Sequence, residues 1–226
     1  ISMATNLNLK PQENVVLVKE AKEFGKISNG NTKMPGTTYA IDAFACITGS
    51  KLAKIKGTPC NSCYARKLQK LRPSVNIGWK ANLDKWNNAN PTQWVQAMTL
   101  QILRYNKDAH HRWFDSGDLQ SVEMLQAIVD VCNATPHIKH WLPTQERQFA
   151  QQFVNGGGII PDNLVVRVSG TKINGRAPNF PNTSTVFDKH GAPVGNECHA
   201  RHNNNSCGDC RACWDKSVSN VSYPKH

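Results

Sequence analysis

The sequence predicts an α/β protein, either a partial (open) β/α barrel or a parallel sheet with helices, followed by a Cys-rich irregular C-terminal tail. Strand and helix patterns alternate between residues 111 and 169, and strands separated by helices of this length pair in parallel through crossovers. Beyond about residue 172, Gly, Pro, Asn and His replace the periodic apolar pattern. We therefore expect an α/β domain over residues 1–180 and a tail over 181–226 that packs on it.

The first hundred residues contain one predicted strand, then helices. The apolar run at 14–19 predicts a strand, and the segment around 28–38 has the Gly and Pro of a loop. From residue 63 to about 105 the pattern is helical. Within this stretch a second helix begins at Asn90, which is its predicted cap, with Pro91 in its first turn. The apolar faces of these helices, with their tryptophans in the core, are Val75, Trp79, Leu83 and Trp86, then Trp94, Met98 and Ile102.

The alternating stretch places polar residues at the ends of three strands. The predicted elements are a strand at 111–115, a helix at 121–134, a strand at 137–142, a helix at 144–155 and a strand at 163–169. Binding sites of parallel sheets lie beyond the carboxyl ends of the strands. The polar strand ends are Ser116-Gly117-Asp118, Pro143-Thr144-Gln145 and Ser169-Gly170-Thr171.

Charge and cysteine content indicate the class of partner. The net charge of +11 and the pI near 9.4 favour an anionic partner such as nucleic acid. The chain has no signal-peptide pattern and no apolar run long enough to span a bilayer, so we expect a cytoplasmic monomer without a membrane partner. Eight cysteines in a reducing compartment more often bind metal than form disulfides.

The tail contains the strongest metal-binding pattern. Cys198, Cys207, Cys210 and Cys213 have the spacing C-x8-C-x2-C-x2-C. Cysteines at successive intervals of three can wrap one [4Fe-4S] cluster, with the distant cysteine as fourth ligand. Structural zinc usually separates its two C-x2-C pairs by a dozen or more residues, which favours a cluster over zinc. His199 and His202 lie close enough in the sequence to replace a cysteine, so zinc and a mixed-ligand cluster stay open.

A second set of cysteines lies upstream. Cys46 precedes Cys60-x2-Cys63 by thirteen residues, with Tyr64 directly after the last cysteine. Three thiolates without a fourth would hold three irons of a [4Fe-4S] cluster and leave one iron open, which is the feature of a catalytic rather than a structural metal site. The eighth cysteine, Cys132, lies on the apolar face of a predicted helix, where we expect it to be buried as a small hydrophobe.

These motifs resemble two related groups of proteins. "CNSCYAR" after an upstream cysteine resembles the cluster loop of radical S-adenosylmethionine (radical SAM) enzymes, although their usual first gap is three residues rather than thirteen. The wider pattern is similar to the bacteriophage gene product 88 family. The matching pieces run in order from about residue 30 to 215 and are "NTKMPGTTYAIDAFAC", "CNSCYA", "RWFDSGDLQS", "WLPTQ" and "CGDCRACW".

The resemblance implies roles for particular residues. Cys46, Cys60 and Cys63 would ligate a cluster whose open iron receives S-adenosylmethionine. Ser116-Gly117-Asp118 would receive the amino group of that cofactor, Thr144 and Ser169 would face its ribose or carboxylate, and Tyr64 would lie against its adenine or the cluster. Such enzymes are oxidoreductases that cleave the cofactor reductively to a 5′-deoxyadenosyl radical, with electrons from a ferredoxin-like or flavodoxin-like donor. Arg112 and Asp115 are also explained as an ion pair at a strand end.

Two alternatives remain at this point. The chain could be a non-enzymatic iron–sulfur protein, with one or two fully ligated clusters that transfer electrons or stabilise the fold. It could instead be a zinc-stabilised protein that binds nucleic acid, for which the positive charge is the main support. The substrate and the number of clusters do not follow from the sequence.

Overall fold

The computed structural model describes residues 17–30 and 33–225, which form an α/β fold around one parallel sheet. The strands are β1 (Thr37–Thr38), β2 (His110–Arg112), β3 (Lys139–Thr144), β4 (Leu164–Ser169), β5 (Thr183–Phe187), β6 (Asn196–Glu197) and β7 (Asn220–Pro224). Their order is β1-β2-β3-β4-β5-β7-β6, and every neighbouring pair is parallel. The sheet is open, and the α/β prediction is confirmed.

The helices are α1 (Ile47–Leu52), α2 (Tyr64–Leu71), α3 (Pro73–Asn88), α4 (Pro91–Tyr105), α5 (Val122–Ala134) and α6 (Arg147–Asn155). The predicted cap at Asn90 is present, since its side chain accepts hydrogen bonds from the backbone N–H groups of Thr92 and Gln93. Short 3-10 turns occupy Lys22–Phe24, Ala43–Ala45, Pro59–Ser62, Ala200–His202 and Ala212–Trp214. No helix in the described part of the chain is long and apolar enough to cross a bilayer.

The two faces of the sheet have different coverings. Side chains alternate between faces along a strand, and Leu142 and Val166 belong to the apolar core that also contains side chains of α4, α5 and α6. Their neighbours Trp141 and Arg167 project from the other face and contact the tail, where the Trp141 ring lies 5.2 Å from that of Trp214. The helices therefore cover one face, and part of the Cys-rich tail covers the other.

Arg167 fixes the tail to the sheet. Its side chain is completely buried, and its guanidinium donates hydrogen bonds of 2.8–3.2 Å to the carbonyl oxygens of Ala212, Cys213, Asp215, Val218 and Thr183. Burying a cation without a carboxylate partner costs free energy unless its donors are satisfied. This one cation therefore determines the path of residues 212–218 across the sheet.

Several predicted boundaries were wrong. The strand predicted at 111–115 ends at Arg112, because Phe114 adopts a positive φ of 55° that extended chains do not tolerate. The strand predicted at 14–19 lies partly outside the described residues, and residues 17–19 are helical. The sequence also gave no indication of β5, β6 and β7, which add the segment after residue 180 to the same sheet. Cys132 is buried in the core as expected.

Candidate metal centres

The first cysteine set, Cys46, Cys60 and Cys63, lies beyond the carboxyl ends of β1 to β3. Cys46 is the N-cap of α1, Cys63 is the N-cap of α2, and Cys60 lies in the 3-10 turn before α2. Gly49 brings two of the thiols together, since a Cβ placed on it would lie 3.6 Å from Cys60 Sγ and 3.8 Å from Cys46 Sγ. The sulfur atoms of Cys46 and Cys60, which are fourteen positions apart in the chain, thus lie close together.

Burial and mutual repulsion keep Cys46 and Cys60 protonated in the metal-free protein. Burial raises the pKa of Cys46 far above its usual value, and the charges of Asp118, Cys63 and Cys60 raise it further, while Arg66 opposes the shift. Burial likewise raises the pKa of Cys60 to about 12, again with Cys63 and Asp118 adding to the effect. Thiolates at Cys46 and Cys60 therefore require a strong positive charge beside them, which bound iron or zinc would supply.

Asp118 connects this set to the strand ends. Its carboxylate accepts hydrogen bonds from the Thr144 hydroxyl at 2.6 Å and from the backbone N–H groups of Gln145 and Leu119 at 2.8 Å. Burial raises the pKa of Asp118 to about 7 although these hydrogen bonds lower it. Asp118 and Thr144, both predicted cofactor contacts, are thus already hydrogen-bonded to each other.

The other predicted cofactor contacts differ in their surroundings. Ser116 is buried and its hydroxyl has no hydrogen-bond partner among the described residues. Gly117 adopts a φ of +82° against Ile41. Ser169, at the end of β4, accepts a 3.2 Å hydrogen bond from the Ser184 hydroxyl. Tyr64 is 71% exposed beside Cys63.

Two residues at the end of β3 were not among the predicted cofactor contacts. Glu146 is completely buried and accepts hydrogen bonds from the backbone N–H and the hydroxyl of Thr48, at 2.7 and 2.9 Å, which fixes the turn that begins at Cys46. The Gln145 side chain donates to the Gly170 carbonyl at 3.3 Å, and its buried Oε1 has no hydrogen-bond partner in the described chain. An acidic residue directly after a strand was the signal that could have identified Glu146.

The second cysteine set, Cys198, Cys207, Cys210 and Cys213, gathers near the end of β2. Burial raises the pKa of Cys207, and the charges of Cys198 and Cys210 raise it further. Burial raises the pKa of Cys213 to about 12, and the charge of Cys198 adds to this shift. Arg112 lowers the pKa of Cys207 and of Cys213. Electrostatic contacts therefore link the four thiols in a chain, from Cys213 to Cys198, from Cys198 to Cys207, and from Cys207 to Cys210.

Hydrogen bonds hold this second set in place. The Tyr223 hydroxyl lies 2.9 Å from Cys213 Sγ, and burial followed by the Cys213 charge raises the pKa of Tyr223. The backbone N–H of Cys198 donates to Ser222 in β7, and that of Cys207 donates to Lys33, both at 2.8 Å. The ion pair expected between Arg112 and Asp115 is present at 3.2 Å. His199 and His202 are both exposed.

The thiols of each set are near one another but are not arranged around a single point. Within residues 17–30 and 33–225, no three His, Cys, Asp or Glu side chains come close enough to hold one metal ion. A zinc ion needs its ligands at about 2.0–2.3 Å from one centre. The ligands of a cubane each bind a different iron and can therefore stand farther apart.

Fold and cysteines together define a class: an α/β protein with a parallel sheet that carries three thiols at its carboxyl edge and four in a tail. The chain belongs to the gene product 88 family, a family of phage gene products, whose profile matches residues 17–216. Neither the search of curated proteins nor that of solved structures gives a match. The resemblance of the motifs to the gene product 88 family is thereby confirmed, and no comparison supports the radical SAM resemblance.

Proposed function

We propose that this chain is an iron–sulfur protein with a cluster at the first cysteine set, one iron of which is open, and a fully ligated cluster at the second. The observation that carries the proposal is the convergence of Cys46, Cys60 and Cys63 at the carboxyl edge of a parallel sheet. The charges that act on Cys46 come from the other two thiols, Asp118 and Arg66, and no fourth cysteine is among them. Three thiolates match a cubane with one free position.

Cluster ligation is favoured over a single zinc ion at both sets. The C-x2-C-x2-C run of the second set and the single C-x2-C pair of the first differ from the two separated C-x2-C pairs of most structural zinc sites, whereas a cubane accepts three closely spaced cysteines and a distant fourth. Arg66 beside the first set and Arg112 beside the second supply positive charge for the thiolates. The zinc-stabilised nucleic-acid-binding protein is therefore the weaker reading of the same residues.

S-adenosylmethionine is the ligand that we propose for the open iron of the first cluster. When bound there, it would accept one electron from the cluster, and the electron would come from a low-potential donor protein. The carboxylate of Asp118 accepts three hydrogen bonds, and the buried Gln145 Oε1 has no partner in the described chain, so we assign Gln145 Oε1 as an acceptor for the ammonium group. The Ser116 hydroxyl supplies a second unpartnered polar group on the same edge.

A non-enzymatic iron–sulfur protein is the second candidate, and one observation favours it. Thr144 and Asp118, which the radical SAM resemblance assigns to the cofactor, are hydrogen-bonded to each other at 2.6 Å. In that case both clusters would carry electrons or stabilise the fold, and Glu146 and Asp118 would only support the loop of the first set. Cofactor binding distinguishes the two candidates.

The test is the iron and sulfide content of anaerobically purified and reconstituted protein, with variants of each set. We expect about eight irons in the wild type and about four in Cys46→Ala/Cys60→Ala/Cys63→Ala or in Cys198→Ala/Cys207→Ala/Cys210→Ala/Cys213→Ala. Cys132→Ala is the matched control, because it removes a buried thiol outside both sets and should keep all the iron. A colourless protein with stoichiometric zinc would refute the proposal, as would iron that survives in both multiple variants.

Electron paramagnetic resonance distinguishes the two candidate functions, the enzyme and the non-enzymatic iron–sulfur protein. Added S-adenosylmethionine should change the signal of the reduced cluster in the second-set variant, which retains only the open cluster. The first-set variant should not respond. A Gln145→Leu substitution should weaken the response of the second-set variant by about tenfold in cofactor concentration, since it removes one hydrogen-bond acceptor for a charged group. No response in any protein would leave the non-enzymatic candidate.

A further inference from the structure

The segment that carries the first cysteine set has a charge of one sign. Residues 43–83 contain no Asp or Glu. They contain eight of the chain's basic residues, and these account for most of its net charge of +11. The eight are Lys51, Lys54, Lys56, Arg66, Lys67, Lys70, Arg72 and Lys80. All except Arg66 are exposed.

The same segment also exposes large apolar side chains. Six of the nine exposed large hydrophobic residues in the described chain fall between residues 44 and 77. They are Phe44, Ile47, Ile55, Tyr64, Leu71 and Ile77. Leu71 is 77% exposed and Ile77 is 68% exposed, and apolar side chains concentrated in this way usually indicate an interaction surface.

Side-chain contacts join the elements that carry these residues, and we call the surface of these elements the 44–80 surface. Arg66 and Lys70 lie over the Phe44 ring, at 4.7 and 5.6 Å from its centroid, so α2 packs beside the segment that leads to Cys46. The Gln69 side chain then joins α2 to α3 through a 3.0 Å hydrogen bond to Asn76. Asn61 joins the turn before α2 to the end of α1 by donating to the Ala53 carbonyl at 2.8 Å.

We propose that the 44–80 surface docks a partner protein whose contact face carries carboxylates around an apolar centre. The carboxylates of the partner would pair with the exposed lysines of the 44–80 surface, and these lysines would steer an acidic surface towards the cysteine loop. Leu71 and Ile77 would be covered by the apolar centre, and each such side chain gains free energy when it leaves water. This docking surface does not depend on whether the thiols bind iron.

Nucleic acid is the competing occupant, and the side chains favour a protein. Four of the six exposed hydrophobic residues are Leu or Ile, which a phosphate backbone cannot cover, whereas single-stranded nucleic acid stacks on aromatic rings. Six of the eight cations are Lys rather than Arg, and Arg66 already stacks on Phe44. Arg is the residue that recognises phosphates and bases in a bidentate manner.

Titration of the purified full chain with defined probes tests the proposal. The probes are a synthetic amphipathic helix with leucines on one face and glutamates on both flanks, poly-glutamate of the same length, and single-stranded and duplex DNA of equal charge. We expect the amphipathic acidic helix to bind most tightly. Leu71→Ser/Ile77→Ser should weaken the helix by about tenfold and leave poly-glutamate unchanged, because only the helix presents leucines.

Charge reversal supplies the second arm. Lys67→Glu/Lys70→Glu/Arg72→Glu should weaken the helix and poly-glutamate by about tenfold or more at low salt. The matched control, Arg104→Glu/Lys107→Glu/Lys139→Glu, changes the same number and types of exposed cations at the amino-terminal edge of the sheet, and its affinity should change by less than about twofold. Circular dichroism confirms the fold of each variant.

Three outcomes would overturn the proposal. DNA that binds more tightly than the helix would assign the surface to nucleic acid. Equal affinity for the helix and poly-glutamate would show a surface that responds to charge alone. A helix that does not bind, or that binds both charge-reversed proteins equally, would remove the docking site altogether.

Discussion

Tyr223 contacts a thiol of the second cysteine set. Its hydroxyl lies 2.9 Å from Cys213 Sγ, and a phenol is a hydrogen-bond donor at neutral pH. A donor to a cluster sulfur stabilises the reduced form, which carries more negative charge. Tyr223→Phe should therefore lower the reduction potential of the cluster proposed for the second set by about 60 mV, which corresponds to about 1.4 kcal/mol for one electron.

The measurement is a potentiometric titration of the protein that lacks the first cysteine set, so that only the second cluster contributes. Tyr64→Phe is the control, because Tyr64 is exposed and follows Cys63 of the other set. It should leave the potential unchanged. An unaltered potential in Tyr223→Phe, with the iron content retained, would contradict the role of the hydroxyl.

At the residue scale, the sequence predicts how the cysteines are grouped better than it predicts the residues that hold their loops in place. Spacing alone grouped the seven thiols into two sets, because short loops can place residues three positions apart on one cluster. Arg167 could not be assigned from the sequence. Its five carbonyl partners are mostly more than forty residues away, and no local pattern indicates which strand will carry a buried cation.

Among the elements, the loop after β2 depends on one backbone conformation. Gly117 has a φ of +82°, and a Cβ there would lie 2.2 Å from Ile41 Cγ1 and 3.1 Å from the Ile41 carbonyl oxygen. Gly117→Ala should lower the free energy of unfolding by about 2–4 kcal/mol, because both the clash and the positive φ must be accommodated. It should also displace Asp118 and so reduce iron binding at the first cysteine set.

Urea unfolding followed by circular dichroism measures this loss. Gly78→Ala is the matched control, since Gly78 lies within α3 and a Cβ there meets nothing within 4 Å. Alanine should stabilise that helix by about 0.5–1 kcal/mol. Equal effects of the two substitutions would show that the loop after β2 is not constrained in this way.

The elements that the sequence predicted are those with apolar periodicity. The strands β3 and β4 and the helices α5 and α6 lie within three residues of their predicted bounds, because each buries one apolar face or both. The strands β1 and β6 have two residues each, and β5 begins with Thr-Ser-Thr. They are stabilised by parallel pairing to partners distant in the chain, as between β5 and β7, and no local pattern predicts such pairing.

For the whole molecule, the middle layer of the sheet contains neutral imidazoles. His140 accepts a hydrogen bond from the Trp113 indole N–H on Nδ1 at 3.1 Å, so its Nε2 carries the proton that faces Thr135 at 2.8 Å. Its ring stacks on Trp113 and lies 5.4 Å from the ring of His111. Burial lowers the pKa of His140 to about 3, and burial together with His140 lowers the pKa of His111.

The free energy of unfolding should therefore fall in acid, because the buried imidazoles bind protons more readily in the unfolded chain than in the folded protein. The folded-state pKa of His140 lies below its unfolded value of about 6.5, so its contribution is complete above that value and is lost as the pH falls. Between about pH 7.5 and about pH 5 the loss should be about 2 kcal/mol for this imidazole. His140→Gln should be less stable than the wild type at neutral pH, and the difference should shrink by that amount at pH 5.

Urea unfolding at the two pH values measures the difference between variant and wild type, in which the contributions that the two proteins share cancel. His137→Gln is the control, because it removes an exposed imidazole two residues before β3. A difference for His140→Gln that stays constant would mean that the imidazole is not neutral and buried in the folded protein. The folded protein would then tolerate a protonated His140 in the sheet, between the helices on one face and the tail on the other.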